Sequence, residues 1–136
     1  MNKMKVILGL GCDRGTPQET LEAAIDLALN SLNLSRCAVS SLATIDKKND
    51  EVALLALSGD HHWPLQFFTA KQLAGVNVPN PSEVVRKYMG TPAVSEAAAL
   101  LAANTTMSDL LVEKFKYRGA DGKNATVSIA RLRDAI

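Results

Sequence analysis

The first apolar run of the chain is short and breaks into three spaced glycines. Val6–Leu10 is the length of a buried strand; Gly9 lies within it, and Gly11 and Gly15 follow it. Glycines let a backbone turn tightly and let a ligand approach closely, because they carry no Cβ. The pattern therefore predicts a strand that breaks into a tight turn.

A helix is predicted directly after this turn. Thr16 stands where a capping hydroxyl is expected, Pro17 at the first helical position, and Glu19 at the third, which together form a capping box. Apolar residues then recur at helical spacing as far as Leu32. One face of this helix should pack on a core. The opposite face should expose Glu22, Asp26 and Asn30 to water.

The middle of the chain repeats the alternation of strand and helix. Ala38–Ile45 predicts a second strand, and Asn49 or Asp50 is a candidate cap for a helix that runs through Leu57. Pro64–Phe68 predicts a third strand, after which Thr69 can cap a helical turn that carries Leu73.

The last third of the chain predicts a loop, two helices and a hairpin. Residues 76–81 contain two prolines and two asparagines and should be irregular, and Ser82 should cap a helix that Gly90 ends. Thr91-Pro92 then begins the alanine-rich helix Ser95–Ala103. The closing strands are predicted at Asp109–Tyr117 and Ala125–Leu132, joined by a loop over 118–124.

This order of elements predicts an α/β fold, a three-layer α/β/α sandwich with a mixed, roughly five-stranded sheet. The 136 residues are expected to form a single domain over 1–136. Ligands in such sheets bind beyond the carboxyl ends of the strands. The turns at Gly9–Thr16 and Thr44–Lys48 should therefore lie on one edge.

Composition narrows the classes of function. With 47% hydrophobic residues, 21% charged residues and a net charge of +1, the chain fits an ordinary globular protein. Nucleic acid is not an expected partner, because no region is strongly basic and aromatic residues make up only 4%. The apolar run at the N-terminus is too short for a signal peptide or a membrane span, so we expect no membrane partner and a cytoplasmic location.

The glycine turn is the strongest candidate for a binding site. Its backbone N–H groups and the guanidinium of Arg14 favour an anion such as a phosphate or carboxylate. The glycine spacing departs from the dinucleotide fingerprint, and the lysine of a P-loop is missing, so no cofactor is expected. Cys12 lies in this turn, where its thiol is either reactive or simply buried, whereas Cys37 is expected to be a core thiol.

Two further polar groups remain open to more than one interpretation. Thr44-Ile45-Asp46-Lys47-Lys48 is either a solvated helix cap or part of the site, with Asp46 as acid, base or orienting group and Lys47 as a cation. Thr91, Ser95 and Glu96 are either caps or cleft residues. Capping explains Ser82 and Glu83, and His61-His62 should cover a surface. No metal site is expected, because neither the cysteines nor the histidines have ligand spacing.

Five segments of the chain, taken in order, form a specific pattern: Gly9–Thr16, Ala43–Lys48, Pro81–Val85, Gly90–Leu101 and Thr126–Arg131. Together they resemble the family of the cobalamin biosynthesis protein CobE and the C-terminal domain of CbiG. The resemblance covers almost the whole chain. Two departures are Asp13, where the family commonly has a second arginine, and the loosened acidic run Lys48–Glu51.

The resemblance implies a role in building the corrin ring, with an anionic tetrapyrrole (a precorrin or cobalt-precorrin) as ligand and other cobalamin-pathway enzymes as candidate partners. One hypothesis is an accessory protein that binds a precorrin intermediate. The other is a hydrolase that opens the lactone of a cobalt-precorrin and releases acetaldehyde, with Asp46 or Glu96 as the base. An unrelated anion-binding domain is a third. The candidate substrate-binding residues are Gly9, Gly11, Cys12, Arg14, Gly15, Thr16, Thr44, Lys47, Thr91 and Ser95.

Overall fold

The computed structural model describes residues 4–76 and 94–132, and within them a five-stranded sheet forms the centre of the fold. The strands are β1 (Lys5–Cys12), β2 (Val39–Ile45), β3 (Leu65–Phe68), β4 (Leu110–Arg118) and β5 (Asn124–Leu132). Their order is β3-β2-β1-β5-β4, in which β1 pairs in parallel with β2 and antiparallel with β5. The sheet is therefore mixed, as predicted.

Helices cover both faces of this sheet. They are α1 (Gln18–Asn30), α2 (Val52–His61), the short α3 (Ala70–Ala74) and α4 (Val94–Ala103). One buried cluster joins α1 and α2 to alternate residues of β1 such as Leu8 and Leu10. A second cluster joins α3 and α4 to Ile7 on the opposite face. The predicted three-layer α/β/α sandwich is confirmed.

The predicted start of α1 is wrong in detail. The helix begins at Gln18, Pro17 is its N-cap residue, and no side chain caps it. The Thr16 hydroxyl donates instead to the carbonyl of Asp13, at 2.6 Å, so the predicted capping box does not form. The helix also ends at Asn30, before Leu32, and Asn33 follows in the left-handed region at φ 57°.

The start of α2 differs from the prediction as well, whereas α3 agrees with it. Glu51 precedes Val52 as the N-cap residue without a capping hydrogen bond, so neither Asn49 nor Asp50 caps α2. Thr69 does cap α3: its hydroxyl accepts from the Gln72 N–H, and the Gln72 side chain accepts from the Thr69 N–H. Glutamine at this position completes the capping box.

The hairpin of β4 and β5 forms where it was predicted. Gly119 donates to the carbonyl of Lys123 at 2.8 Å, and Gly122 has the positive φ of 86° that closes the loop. Residues of the predicted loop after Val76, the helix from Ser82 and the cap at Thr91 lie outside the described residues. Within the described ranges, no helix has the length and apolar character that crossing a bilayer requires.

Candidate functional site

The turn between β1 and α1 is shorter than the sequence predicted. β1 continues through Cys12, so Gly9 and Gly11 lie in a strand and not in the turn. Gly15 alone of the three glycines has a left-handed backbone, with φ 79°. The Thr16 N–H donates to the Asp13 carbonyl at 3.1 Å and closes the turn.

Asp13 attaches this turn to the start of β5. Its Oδ2 accepts from the Asn124 N–H at 2.8 Å and from Asn124 Nδ2 at 3.2 Å. The backbone N–H of Asp13 donates to the carbonyl of Asn124 at 3.0 Å. The residue that departs from the family pattern thus has a structural role at the edge of the turn.

The turn binds a carboxylate, and this carboxylate belongs to Glu51. Oε2 of Glu51 accepts from the Gly15 N–H at 3.0 Å, and Oε1 lies 3.2 Å from Arg14 Nη1. The Glu51 side chain is only 4% exposed. The combination of backbone N–H and guanidinium predicted to hold an anion therefore exists, and a residue of the chain occupies its inner part.

Arg14 makes further contacts towards solvent. Nη1 donates to Asp50 Oδ1 at 2.8 Å, and Nη2 donates to the carbonyl of Lys47 at 3.3 Å. Both side chains of the Arg14–Asp50 pair are well exposed, at 60% and 74%. The hydrogen bond to Asp50 raises the pKa of Arg14 above its usual value, so the guanidinium stays charged.

An open groove lies beside this ion pair. We call it the Arg14 groove; its volume is about 450 Å³, within the usual range for small-molecule sites. A second pocket, of about 350 Å³, lies next to the Arg14 groove, and Pro17 lines both of them. This second pocket extends to Tyr117 and the 119–121 loop. The Arg14 groove is lined by Arg14, Gly15, Thr16, Pro17, Gln18, Asp50, Glu51, Val52, Ala53 and Ala56.

Several predicted site residues lie away from this groove. Thr44 is fully buried, and its hydroxyl donates to the Leu10 carbonyl at 2.7 Å. A Cβ added to Gly9 would collide with the Ser95 carbonyl and lie 2.9 Å from the Ala99 Cβ, so Gly9 serves the packing of α4 on β1. Neither residue offers a surface to a ligand in the groove.

Ser95 and Glu96 lie in the first turn of α4, on the face of the sheet opposite α1 and α2. Both are buried. The Ser95 and Ser128 hydroxyls are 2.9 Å apart, and Glu96 Oε1 lies 3.9 Å from Lys114 Nζ. Ser95 and Glu96 therefore lie on the α4 side of the sheet, whereas residues at the starts of α1 and α2 line the Arg14 groove.

The other predicted residues are divided between the groove and its surroundings. Asp46 and Lys47 lie in a single 3-10 turn, where the Asp46 side chain is half-buried and Lys47 is exposed. Cys12 is half-buried at the end of β1. Cys37 is exposed, which corrects the prediction of a core thiol. In the ranges 4–76 and 94–132, no group of acidic, histidine and cysteine side chains has the arrangement of a metal site.

Sequence reasoning missed the partners of Arg14. The sequence marks Asp50 as a candidate helix cap and Glu51 as part of a loosened acidic run, whereas both contact Arg14. Two consecutive acidic residues before an apolar helix, in a chain with an arginine in its first glycine turn, were the available signal. The sheet order predicts that the turns after the first two strands lie on one edge, but no local pattern identifies Glu51 as the partner of Arg14.

Comparisons with known proteins agree on one family. The family described as "Cobalamin synthesis G C-terminus" matches residues 6–130. The chain is 32% identical to a cobalt-precorrin-5A hydrolase of Priestia megaterium over 92% of its length, but it spans only 32% of that protein. It is 34% identical to protein CobE of a Sinorhizobium species, covering 80% of this chain and 71% of the relative.

Solved structures agree with this assignment. A crystal structure of CobE, a protein from the cobalamin biosynthetic pathway, superposes with a TM-score of 0.82 at 31% identity and covers 98% of this chain and 97% of its own. The cobalamin biosynthesis protein chiG of Agrobacterium tumefaciens gives a TM-score of 0.67 at 27% identity, over 95% and 99% of the two chains. The fold and the family therefore agree.

Proposed function

Because this chain belongs to the family of cobalamin synthesis G C-terminal domains, we propose that it acts at the corrin-ring stage of cobalamin biosynthesis by binding a precorrin-type tetrapyrrole. Precorrins carry many carboxylates around a large ring. A protein that binds one needs a fixed cation beside an open surface. The Arg14 groove has both.

The observation that carries this proposal is the carboxylate chemistry of the β1–α1 turn. Arg14 and the Gly15 N–H already hold the Glu51 carboxylate, and Arg14 holds a second carboxylate, Asp50, at the surface. A guanidinium binds carboxylates through a planar fork of donors, and its charge does not change at physiological pH. A ligand carboxylate in the Arg14 groove would meet the exposed guanidinium of Arg14, where Asp50 now binds.

The alternative function is hydrolysis, as in the relatives named cobalt-precorrin-5A hydrolase. A general base must come within hydrogen-bonding distance of the water that it activates. Glu96 is fully buried on the face opposite the Arg14 groove, so it does not reach a ligand there. Asp46 is half-buried near Lys47 and is the better candidate base for this alternative. Neither Asp46 nor Glu96 is among the residues that line the Arg14 groove, which favours binding over hydrolysis there.

A spectral titration tests the proposal. The protein would be mixed with precorrin and cobalt-precorrin intermediates, and absorption and acetaldehyde would be followed together. We expect a saturable change in the spectrum without acetaldehyde. We also expect Arg14→Ala to weaken binding by about fivefold or more, as for the loss of a charged hydrogen bond.

The matched control is Lys5→Ala. Lys5 is exposed at the opposite end of β1 from the turn, so its loss removes one positive charge without touching the groove. Binding should stay close to that of the wild type. Release of acetaldehyde in step with loss of the intermediate would establish the hydrolase alternative. No spectral change with any intermediate would contradict both functions.

A further inference from the structure

Arg14 has two carboxylate partners that differ sharply in exposure. Asp50 is 74% exposed, whereas Glu51 is 4% exposed. The two are adjacent in sequence and contact the same Nη1 atom, at 2.8 Å and 3.2 Å. The exposed Asp50 can therefore leave the guanidinium more easily than the buried Glu51.

Glu51 is the fixed partner. Its Oε2 accepts from the Gly15 N–H, at 3.0 Å, in a turn whose backbone needs the positive φ of Gly15. A buried carboxylate that loses its cation and its donor pays a large desolvation cost, so it remains in place. The Glu51 carboxylate therefore holds Nη1 of Arg14 from the protein side, at the wall of the Arg14 groove.

Asp50 is the exchangeable partner. An ion pair between two exposed side chains is weak, because water solvates both charges when the pair opens and salt screens their attraction. A carboxylate from solution can take the position of Asp50 on Arg14.

We propose that Asp50 is an internal competitor which a ligand carboxylate replaces on Arg14, while Glu51 is the positioning residue that keeps the guanidinium aimed into the groove. This inference rests on the proposed function and adds a basis for selectivity. Asp50 is tethered beside Arg14, so it competes with a ligand carboxylate without losing translational freedom of its own. A small monocarboxylate gains little from the exchange, whereas a tetrapyrrole that makes further contacts in the groove gains enough to bind.

The test uses uroporphyrin, a stable porphyrin rich in carboxylates, titrated into the full chain and followed by absorption. Asp50→Asn removes the competitor and keeps its shape, and we expect about two- to fivefold tighter binding, the size of one exposed ion pair. Asp50→Glu restores a competing carboxylate and should return the affinity towards that of the wild type. The gain in Asp50→Asn should disappear in the double variant that also carries Arg14→Ala.

Asp60→Asn is the matched control. Asp60 is an exposed carboxylate on α2 that accepts from Gln18, a residue of the same groove, and it does not contact Arg14. It changes the net charge as Asp50→Asn does, so it measures the general electrostatic effect. We expect the affinity for uroporphyrin to change far less in Asp60→Asn than in Asp50→Asn.

Glu51→Gln should act in the opposite direction. It should weaken binding by about two- to tenfold, as expected when one long side chain must be ordered on binding. Circular dichroism would verify that this variant is folded. In the Asp50→Asn protein, acetate should compete with uroporphyrin at lower concentration than in the wild type.

The outcomes separate the two proposals. If the wild type binds and Arg14→Ala weakens binding, but Asp50→Asn behaves like Asp60→Asn, the exchange is wrong and the proposed function stands. A gain in Asp50→Asn that persists without Arg14 would also overturn the exchange. If the wild type binds neither uroporphyrin nor a precorrin intermediate, the proposed function fails and the exchange fails with it.

Discussion

Gly9 and Gly15 are required for different physical reasons. Gly15 has a φ of 79°, which residues with a Cβ rarely adopt, and it presents its N–H to Glu51. Gly9 has an ordinary strand backbone, but the carbonyl of Ser95 lies where its Cβ would be. The first glycine of the motif therefore allows the close packing of α4 on β1, and the last shapes the carboxylate-binding turn.

We predict that Gly9→Ala destabilises the protein strongly, by about 3 kcal/mol or more, because the added Cβ collides with backbone that cannot move freely. Gly59→Ala should do the reverse and stabilise by about 0.5–1 kcal/mol, since nothing lies near its Cβ and alanine favours a helix. Urea unfolding followed by the fluorescence of Trp63 measures both.

Gly11→Ala is the control within β1. Its new Cβ would meet only the Thr126 Cβ, at 3.9 Å, an ordinary contact. This variant should unfold near the wild-type midpoint. A Gly9→Ala protein as stable as Gly11→Ala would contradict the close approach of α4.

At the scale of elements, Arg36 links α1, α2 and the chain entering β2. Its Nε and Nη2 donate to the two carboxylate oxygens of Asp26, at 2.7 and 2.8 Å, and its Nη1 lies 2.7 Å from Glu22 Oε1. His61, at the end of α2, contacts the same Glu22 oxygen at 3.0 Å and stacks on Trp63. Glu22 and Asp26, predicted to face water, therefore form a half-buried ionic cluster.

This cluster predicts a defined loss of stability in acid. The hydrogen bond from Arg36 lowers the pKa of Asp26 below 3.8. Burial raises the pKa of Glu22, but the hydrogen bonds from His61 and Arg36 outweigh burial and leave it below 4.5. Because the folded state releases these protons more readily than the unfolded chain, the stabilisation is complete above these values and is lost as the pH falls through the lower folded values.

Arg36→Gln should therefore cost about 1 kcal/mol near neutral pH, the upper range for a partly exposed ion pair, and progressively less below pH 4.5. Urea unfolding of both proteins across the acid range measures this difference. Lys71→Gln removes the same charge from an exposed position on α3 and should show no such trend. A cost of Arg36→Gln that is constant down to the lowest pH would contradict the role of the cluster.

Local patterns predicted the elements well, and the exceptions arise from contacts within a turn and from contacts between distant residues. Thr69 with Gln72 and the strands of the sheet follow from short-range spacing, which the structure keeps. The Thr16 cap fails because its hydroxyl binds Asp13 in the turn. The hydrogen bond from Gly15 to Glu51 joins residues 36 positions apart, and no local pattern contains it.

At the scale of the whole molecule, β1 connects two cores. Leu8 and Leu10 belong to the cluster under α1 and α2, whereas Ile7 belongs to the cluster under α3 and α4. The strand lies at the centre of the sheet, between β2 and β5, and so carries hydrogen bonds to both sides. Unfolding of one cluster should therefore destabilise β1, and with it the other cluster.

We therefore predict that residues 1–136 unfold as a single domain in one cooperative transition. Trp63, the only tryptophan, lies in the first cluster and reports on α1 and α2. A second probe, Phe68→Trp in a Trp63→Phe background, reports on the cluster under α4, against which Phe68 packs. Within each protein, the urea curve from fluorescence should coincide with the urea curve from circular dichroism. This is expected because all probes report one equilibrium when unfolding is two-state. Two separated transitions in a single variant would show instead that the α4 face unfolds independently, and β1 would then not couple the two cores.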